Sequence, residues 1–174
     1  MIRVLLSHAR DVEAQAILRS VYSNLEADTP FSRALELLAG PEVTERLLAT
    51  GDLPIGAAAI TPGGDTGRSF LIHVVVQSVD EPVTTEGIRS ALLNGLRRAE
   101  EWGLESLALP PLGTGAGNLE ADEVAGVMVP LLYRHLQGGG VLSDVSILVG
   151  TAFEEDVFNR AVEWYGRDYR PTDA

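Results

Sequence analysis

Gly113, Gly115 and Gly117 alternate with Thr114 and Ala116 and run into Asn118. Glycine leaves no Cβ between the backbone and a ligand, so successive N–H groups can close on an anion. The chemistry this spacing offers is the binding of a phosphate or diphosphate by the amides of the Leu112–Asn118 loop. A tight turn that binds nothing uses the same residues, and the spacing alone leaves both open. Two familiar phosphate motifs are excluded. A Walker loop needs a Lys after its last Gly, and the chain has no Lys. The dinucleotide fingerprint needs Gly-x-Gly-x-x-Gly, whereas here the third Gly comes one residue early and Asn118 takes its place.

The elements on either side must hold such a loop. Ser106 to Leu109 reads as a short buried strand, stopped by Pro110 and Pro111, which donate no backbone N–H. After Asn118 a helix-periodic run begins, with Leu119, Val124, Met128, Leu131 and Leu132 apolar. Glu120, Asp122 and Glu123 fall in its first turn, where acids complement the helix dipole. They would also oppose an anion on the helix axis, so a phosphate is expected at the loop amides of 113–118 rather than at the helix end.

Upstream, Ile2–Leu6 and Ala16–Leu18 read as strands joined by the polar turn Ser7–Glu13. Helices follow Thr29 or Ser32 and Pro41, and each is closed by a glycine, Gly40 and Gly51. Gly56–Thr61 reads as a small-residue strand, and Phe70–Val76 as a central one covered on both faces. Ile88, Ala91, Leu92, Leu96, Ala99 and Trp102 recur at helical spacing before Gly103. Val145–Val149 is the last strand, and Thr151 caps a last helix over Phe153–Tyr165. Alternating strands and helices predict an α/β fold with helices on both faces of a sheet. The expected division is one domain over 1–166 and a polar tail over 167–174.

Composition narrows the function classes. A chain of 174 residues, 45% of them hydrophobic, can bury a real core. It has no Cys, which excludes disulfides, zinc thiolates and Cys nucleophiles. A net charge of −12 argues against nucleic-acid binding, which rests on cations facing phosphates, yet leaves room for a small anion on backbone amides. No run is apolar enough to span a bilayer and no signal-peptide pattern is seen, so a cytoplasmic location without a membrane partner is expected. No metal-ligand spacing is present, and no cofactor is expected.

The segments Gly56-Ala-Ala-Ala-Ile-Thr61, Leu71-Ile-His-Val74 and Ala108-Leu-Pro-Pro-Leu-Gly-Thr-Gly-Ala-Gly117 together resemble the macrodomain family, the ADP-ribose-binding and Appr-1''-p processing modules. The resemblance implies a three-layer α/β/α sandwich with a mixed, mostly parallel sheet and a cleft for ADP-ribose. It assigns Leu112, Gly113, Thr114, Gly115, Ala116, Gly117 and Asn118 to a phosphate loop around the diphosphate and proximal ribose. Phe153, after the last strand, is assigned to the adenine and its ribose, with a core position as the alternative. His73 matches a central-strand position and reads as a packed, hydrogen-bonded core residue.

The departures from the family pattern bear on catalysis. Ser7-His8-Ala9-Arg10 stands for Gly-Asp-Ile-Thr, so a carboxylate expected at the adenine amino group is missing. Leu18-Arg19-Ser20-Val21-Tyr22 stands for Val-Asn-Ala-Ala-Asn, and both Asn are replaced. Asp28-Thr29-Pro30-Phe31-Ser32 stands for the first, glycine-rich phosphate loop. Asn24 is the candidate substitute for a lost Asn, and His8 the candidate substitute in the site. No catalytic residue is assigned. The expected function is binding of ADP-ribose or a related nucleotide diphosphate by a divergent, bacterial-type monomeric member, with ADP-ribosylated protein as a further partner. An ADP-ribosyl or O-acetyl-ADP-ribose hydrolase and a ligand-free interaction module are the alternatives.

Overall fold

Alternation of side-chain character sets the layers. In the strand β2 (Ala16–Tyr22), Ile17 and Val21 point to one face and Ala16 and Leu18 to the other. All four are fully buried, as a strand covered on both sides requires. The remaining elements are β1 (Ile2–Leu6), α1 (Pro30–Ala39), α2 (Pro41–Thr50), β3 (Ala58–Pro62), β4 (Phe70–Gln77), α3 (Thr85–Glu101), β5 (Ser106–Leu109), α4 (Ala121–Gln137), β6 (Asp144–Val149) and α5 (Ala152–Gly166). They come from a computed structural model that describes residues 1–115 and 118–169. Ala116 and Gly117, two of the expected loop contacts, lie outside the described residues, as do residues 170–174 of the expected tail.

The sheet order is β1-β6-β5-β2-β4-β3. Neighbours pair in parallel, except that β3 runs antiparallel to β4 at one edge. Helices α3, α4 and α5 cover one face through Ile88, Leu92, Leu96, Met128, Leu132 and Phe158. Helices α1 and α2 cover part of the other through Leu35, Ala39, Val43 and Leu47. This is the expected mixed α/β/α sandwich. Three helices start on a Thr whose Oγ1 accepts a backbone N–H three residues on: Thr29 from Ser32, Thr84 from Gly87 and Thr151 from Glu154.

Three details differ from the sequence expectation. The second strand does not stop at Leu18 but continues to Tyr22, because Arg19 and Ser20 are buried with hydrogen-bond partners rather than turning out to solvent. Trp102 leaves the buried stripe of α3. It is the helix's C-cap, 53% exposed, with its ring 4.9 Å from that of Phe70. The start of the expected tail is laid on the body, where Tyr169 stacks on Tyr133 with ring centres 5.2 Å apart.

Candidate functional site

A cleft of about 910 Å³ opens at the carboxyl ends of β1, β6 and β5, where α/β sheets commonly bind ligands. Each wall follows from the local sequence. Ser7–Arg10 leave β1 in a polar turn; Pro110 and Pro111 end β5; Leu148, Val149 and Gly150 end β6; and Glu154 projects from the first turn of α5. The facing wall is α1, which presents Pro30, Phe31, Ala34, Leu35, Leu37 and Leu38, with its cap Thr29 at the rim. Thr114 and Gly115 of the glycine loop close one side. The result is an apolar slot with a few polar groups, the usual character of a small-molecule site.

The glycine loop is held from below and open above. The Leu112 side chain is fully buried in the larger core, and its N–H points at Met128 Sδ, 3.3 Å away. Gly113 is also buried, with φ +75°, and a Cβ there would stand 2.5 Å from Val83 Cγ1 and 2.8 Å from Ile88 Cδ1. Only glycine fits that position. At Gly115, φ is +120° and a Cβ would meet nothing within 4 Å. Inside the loop the Leu119 N–H donates to the Gly113 carbonyl (3.0 Å) and the Asn118 N–H to the Gly115 carbonyl (3.1 Å). The Asn118 amide is thus engaged within the loop.

The expected contacts are therefore placed unequally. Thr114 and Gly115 line the cleft, whereas Leu112 and Gly113 support it from the core. Phe153 does not take the alternative core position. Its side chain is 67% exposed on the first turn of α5, outside the core and outside the cleft lining. His8 and Arg10 line the cleft, at the end where the resemblance calls for a carboxylate. Asn24 does not stand in for a lost Asn in the cleft, since it is exposed and its Oδ1 accepts the Glu26 N–H in a turn after β2. Thr29, Pro30 and Phe31 of this wall fall in the segment that stands for the first phosphate loop, whereas Ala34, Leu35, Leu37, Leu38 and Glu154 carried no site signal in the sequence.

Arg19, which the resemblance sets at one Asn position, centres a buried polar network. Arg19 is fully buried. Its Nε donates to His73 Nδ1 (2.8 Å), and its Nη1 donates to the Ser32 carbonyl and Oγ (both 3.2 Å) and to Glu36 Oε1 (3.4 Å). An arginine nitrogen only donates, so His73 Nδ1 carries no proton and Nε2–H donates to Thr61 Oγ1 at 2.9 Å. Burial, reinforced by the Arg19 charge, holds the His73 pKa well below its ordinary range. His73 is the packed core residue expected. Asp28 accepts from Ser20 Oγ (2.8 Å) and Gln77 Nε2 (3.0 Å), yet burial pushes its pKa up. Among the described residues no cluster of three His, Cys, Asp or Glu could hold a metal. No described helix is long and apolar enough to cross a membrane.

The architecture is an α/β/α sandwich with an apolar slot at the strand ends. Residues 20–128 match the Macro domain family model, and the chain belongs to that family. An uncharacterised protein of Mycobacterium tuberculosis is 30% identical over 159 residues, covering 90% of this chain and 44% of the relative. The chain thus spans less than half the length of that relative. A macro domain-containing protein of Caldanaerobacter subterraneus is 24% identical over 173 residues, covering 93% of this chain and 95% of its own. Among solved structures, the Oceanobacillus iheyensis macrodomain with ADP superimposes with a TM-score of 0.85 at 18% identity, covering 95% of this chain and 91% of that one. At that identity the likeness is one of fold. The matched segment leaves out β1, β6 and α5, which with the turn after β1 supply Ser7–Arg10, Leu148, Val149, Gly150 and Glu154 to the cleft.

Proposed function

We propose that the chain binds ADP-ribose or a related nucleoside diphosphate in the cleft, with the diphosphate against the Gly113–Asn118 loop and the nucleoside along α1. The observation that carries this reading is the joining of Gly115, with its open Cβ direction, to an apolar slot large enough for a nucleotide. A solved relative of the same fold is described with ADP, which supports the ligand class. Phe153 stands one residue before Glu154 at the mouth, and its ring is available to cover a base. Binding, rather than turnover, is the reading the geometry supports. Ser7, His8, Thr29, Thr114 and Glu154 are the short polar groups of the lining, and no side-chain hydrogen bond joins any two of them. Arg19 is committed to the interior, and positioned groups are what a near-attack geometry needs.

Calorimetric titration with ADP-ribose, ADP, AMP and NAD tests the reading. Micromolar binding of ADP-ribose is expected. Gly115 lines the cleft and a Cβ there would meet nothing within 4 Å, so Gly115→Val is expected to weaken binding at least about tenfold, as a loss of roughly 1.4 kcal/mol. Strain at φ +120° costs a non-glycine residue roughly 1–3 kcal/mol, so the variant's melting temperature is measured alongside. A folded Gly115→Val protein that binds normally removes the loop from the site. No heat with any nucleotide moves the cleft to the interaction-module reading.

A further inference from the structure

A second cavity, of about 620 Å³, lies toward the amino-terminal ends of β1, β6 and β5. Alternation along the strands builds its floor. Ser146 stands in register with Arg3 on one side and Ala108 on the other, so it shares the sheet face that carries Ala108 and Leu148. Ser106 and Asp144, a register pair two residues earlier, continue the floor. Residues 11–15 and 67–69 form the walls, and among the described residues the cavity shares only Ser7 with the cleft above.

Two polar groups at this cavity lack partners. Ser146 is 4% exposed, and its hydroxyl makes no hydrogen bond among the described residues. Arg68 donates from Nη2 to the Arg10 carbonyl at 3.2 Å, while its Nε is buried without a partner. Buried donors are ordinarily satisfied, so both groups call for an acceptor. Ser106 Oγ accepts the Gln15 N–H at 2.9 Å and keeps its own proton to donate. The charges point the same way. Arg3 pairs with Asp144 at 3.1 Å, and Asp11 with Arg10 at 3.8 Å. Glu13 stands exposed to solvent, whereas Arg68 is partly buried and joins no ion pair among the described residues. A guanidinium beside hydroxyl donors suits an oxyanion. We propose that this cavity binds a compact oxyanion, a phosphate or carboxylate group, which accepts hydrogen bonds from Ser146 Oγ and the Arg68 guanidinium. The site is independent of the nucleotide-binding reading.

The test is a titration with sodium phosphate and sodium acetate, with sodium chloride as the control for ionic strength, read residue by residue from amide NMR shifts. Phosphate or acetate is expected to shift Ser146, Ser106 and Arg68 along a saturating curve that chloride does not reproduce. Saturation by only one of the two names the group the site takes. Ser146→Ala is expected to weaken binding about tenfold, the scale of one hydrogen bond to a charged group. Its melting temperature is expected to stay unchanged, because the hydroxyl has no partner to lose. Arg68→Gln is expected to abolish saturation, and its melting temperature is measured alongside because Arg68 also holds the Arg10 carbonyl. The proposal is overturned if chloride produces the same shifts, if the shifts appear only at Thr114 and Gly115, or if Ser146→Ala binds as the wild type does. ADP-ribose titration of Ser146→Ala is expected to match the wild type, which separates this site from the cleft.

Discussion

At the residue scale, His73 is the group whose chemistry is most constrained. Its Nδ1 accepts from Arg19, so a proton there would face another N–H at 2.8 Å inside the core. Protonation is also opposed by burial, the larger cause, and by the Arg19 charge. The sign of the pH effect follows. In the unfolded chain His73 takes up a proton as pH falls through its ordinary value of 6.5, while in the folded chain it does not. The stabilisation is therefore complete above that pH and declines below it, by at most about 1.4 kcal/mol per pH unit. Asp28 acts in the opposite sense. Its raised pKa lets the folded state hold a proton above 3.8 that the unfolded state has lost, so it adds stability as pH falls. The two are separated by His73→Gln, which cannot titrate but keeps an acceptor and a donor. Urea unfolding of both proteins across a pH series is expected to show the wild-type advantage shrinking below about pH 6.5. A constant difference would mean that the buried imidazole titrates as it does in the unfolded chain.

At the scale of elements, the site depends on how the β5–α4 loop is seated against α3. Gly113 is the contact, with Val83 and Ile88 filling the space where a side chain would go. Gly113→Ala introduces both a close approach and a φ of +75°, and it is expected to cost roughly 1–3 kcal/mol. Chemical denaturation measures that loss. If the variant is as stable as the wild type, the loop is not anchored at Gly113. The neighbouring Gly115 responds differently, because its side-chain direction is empty. This loop was legible in the sequence, since a Pro-Pro stop, alternating glycines and a helix start are all local signals. So were the caps at Thr29 and Thr151 and the apolar β4. The length of β2 was not. Arg19 and Ser20 look like turn residues, and only the distant Ser32, Glu36, His73 and Asp28 make their burial tolerable. The rest of the α1 wall was not legible, because Ala34, Leu35, Leu37 and Leu38 read as the apolar residues of an ordinary helix until the sheet order brings β6 and β5 opposite them.

For the whole molecule, the proposed binding sets an acidic ligand against a strongly acidic protein. The chain carries 25 acidic and 13 basic residues, a net charge of −12. Within the cleft the charged lining is Arg10 and Glu154, which offset each other, so the local site contributes little net field. Arg10 is also partly engaged, with its Nε 3.8 Å from Asp11 and its side chain 71% exposed. A diphosphate held by neutral backbone amides therefore feels mainly the repulsion of the rest of the surface. That repulsion reaches about 30 Å at 0.01 M salt and about 8 Å at 0.15 M. Raising the salt over this range should strengthen ADP-ribose binding by a few-fold, through faster association. Uncharged adenosine should show no such trend. The opposite trend, with affinity falling as salt is added, would assign the diphosphate to Arg10 and His8 rather than to the loop amides. The salt series thus decides between two orientations of the nucleotide that share the same walls. It does so without any substitution, and so without the strain that accompanies a change at Gly113 or Gly115.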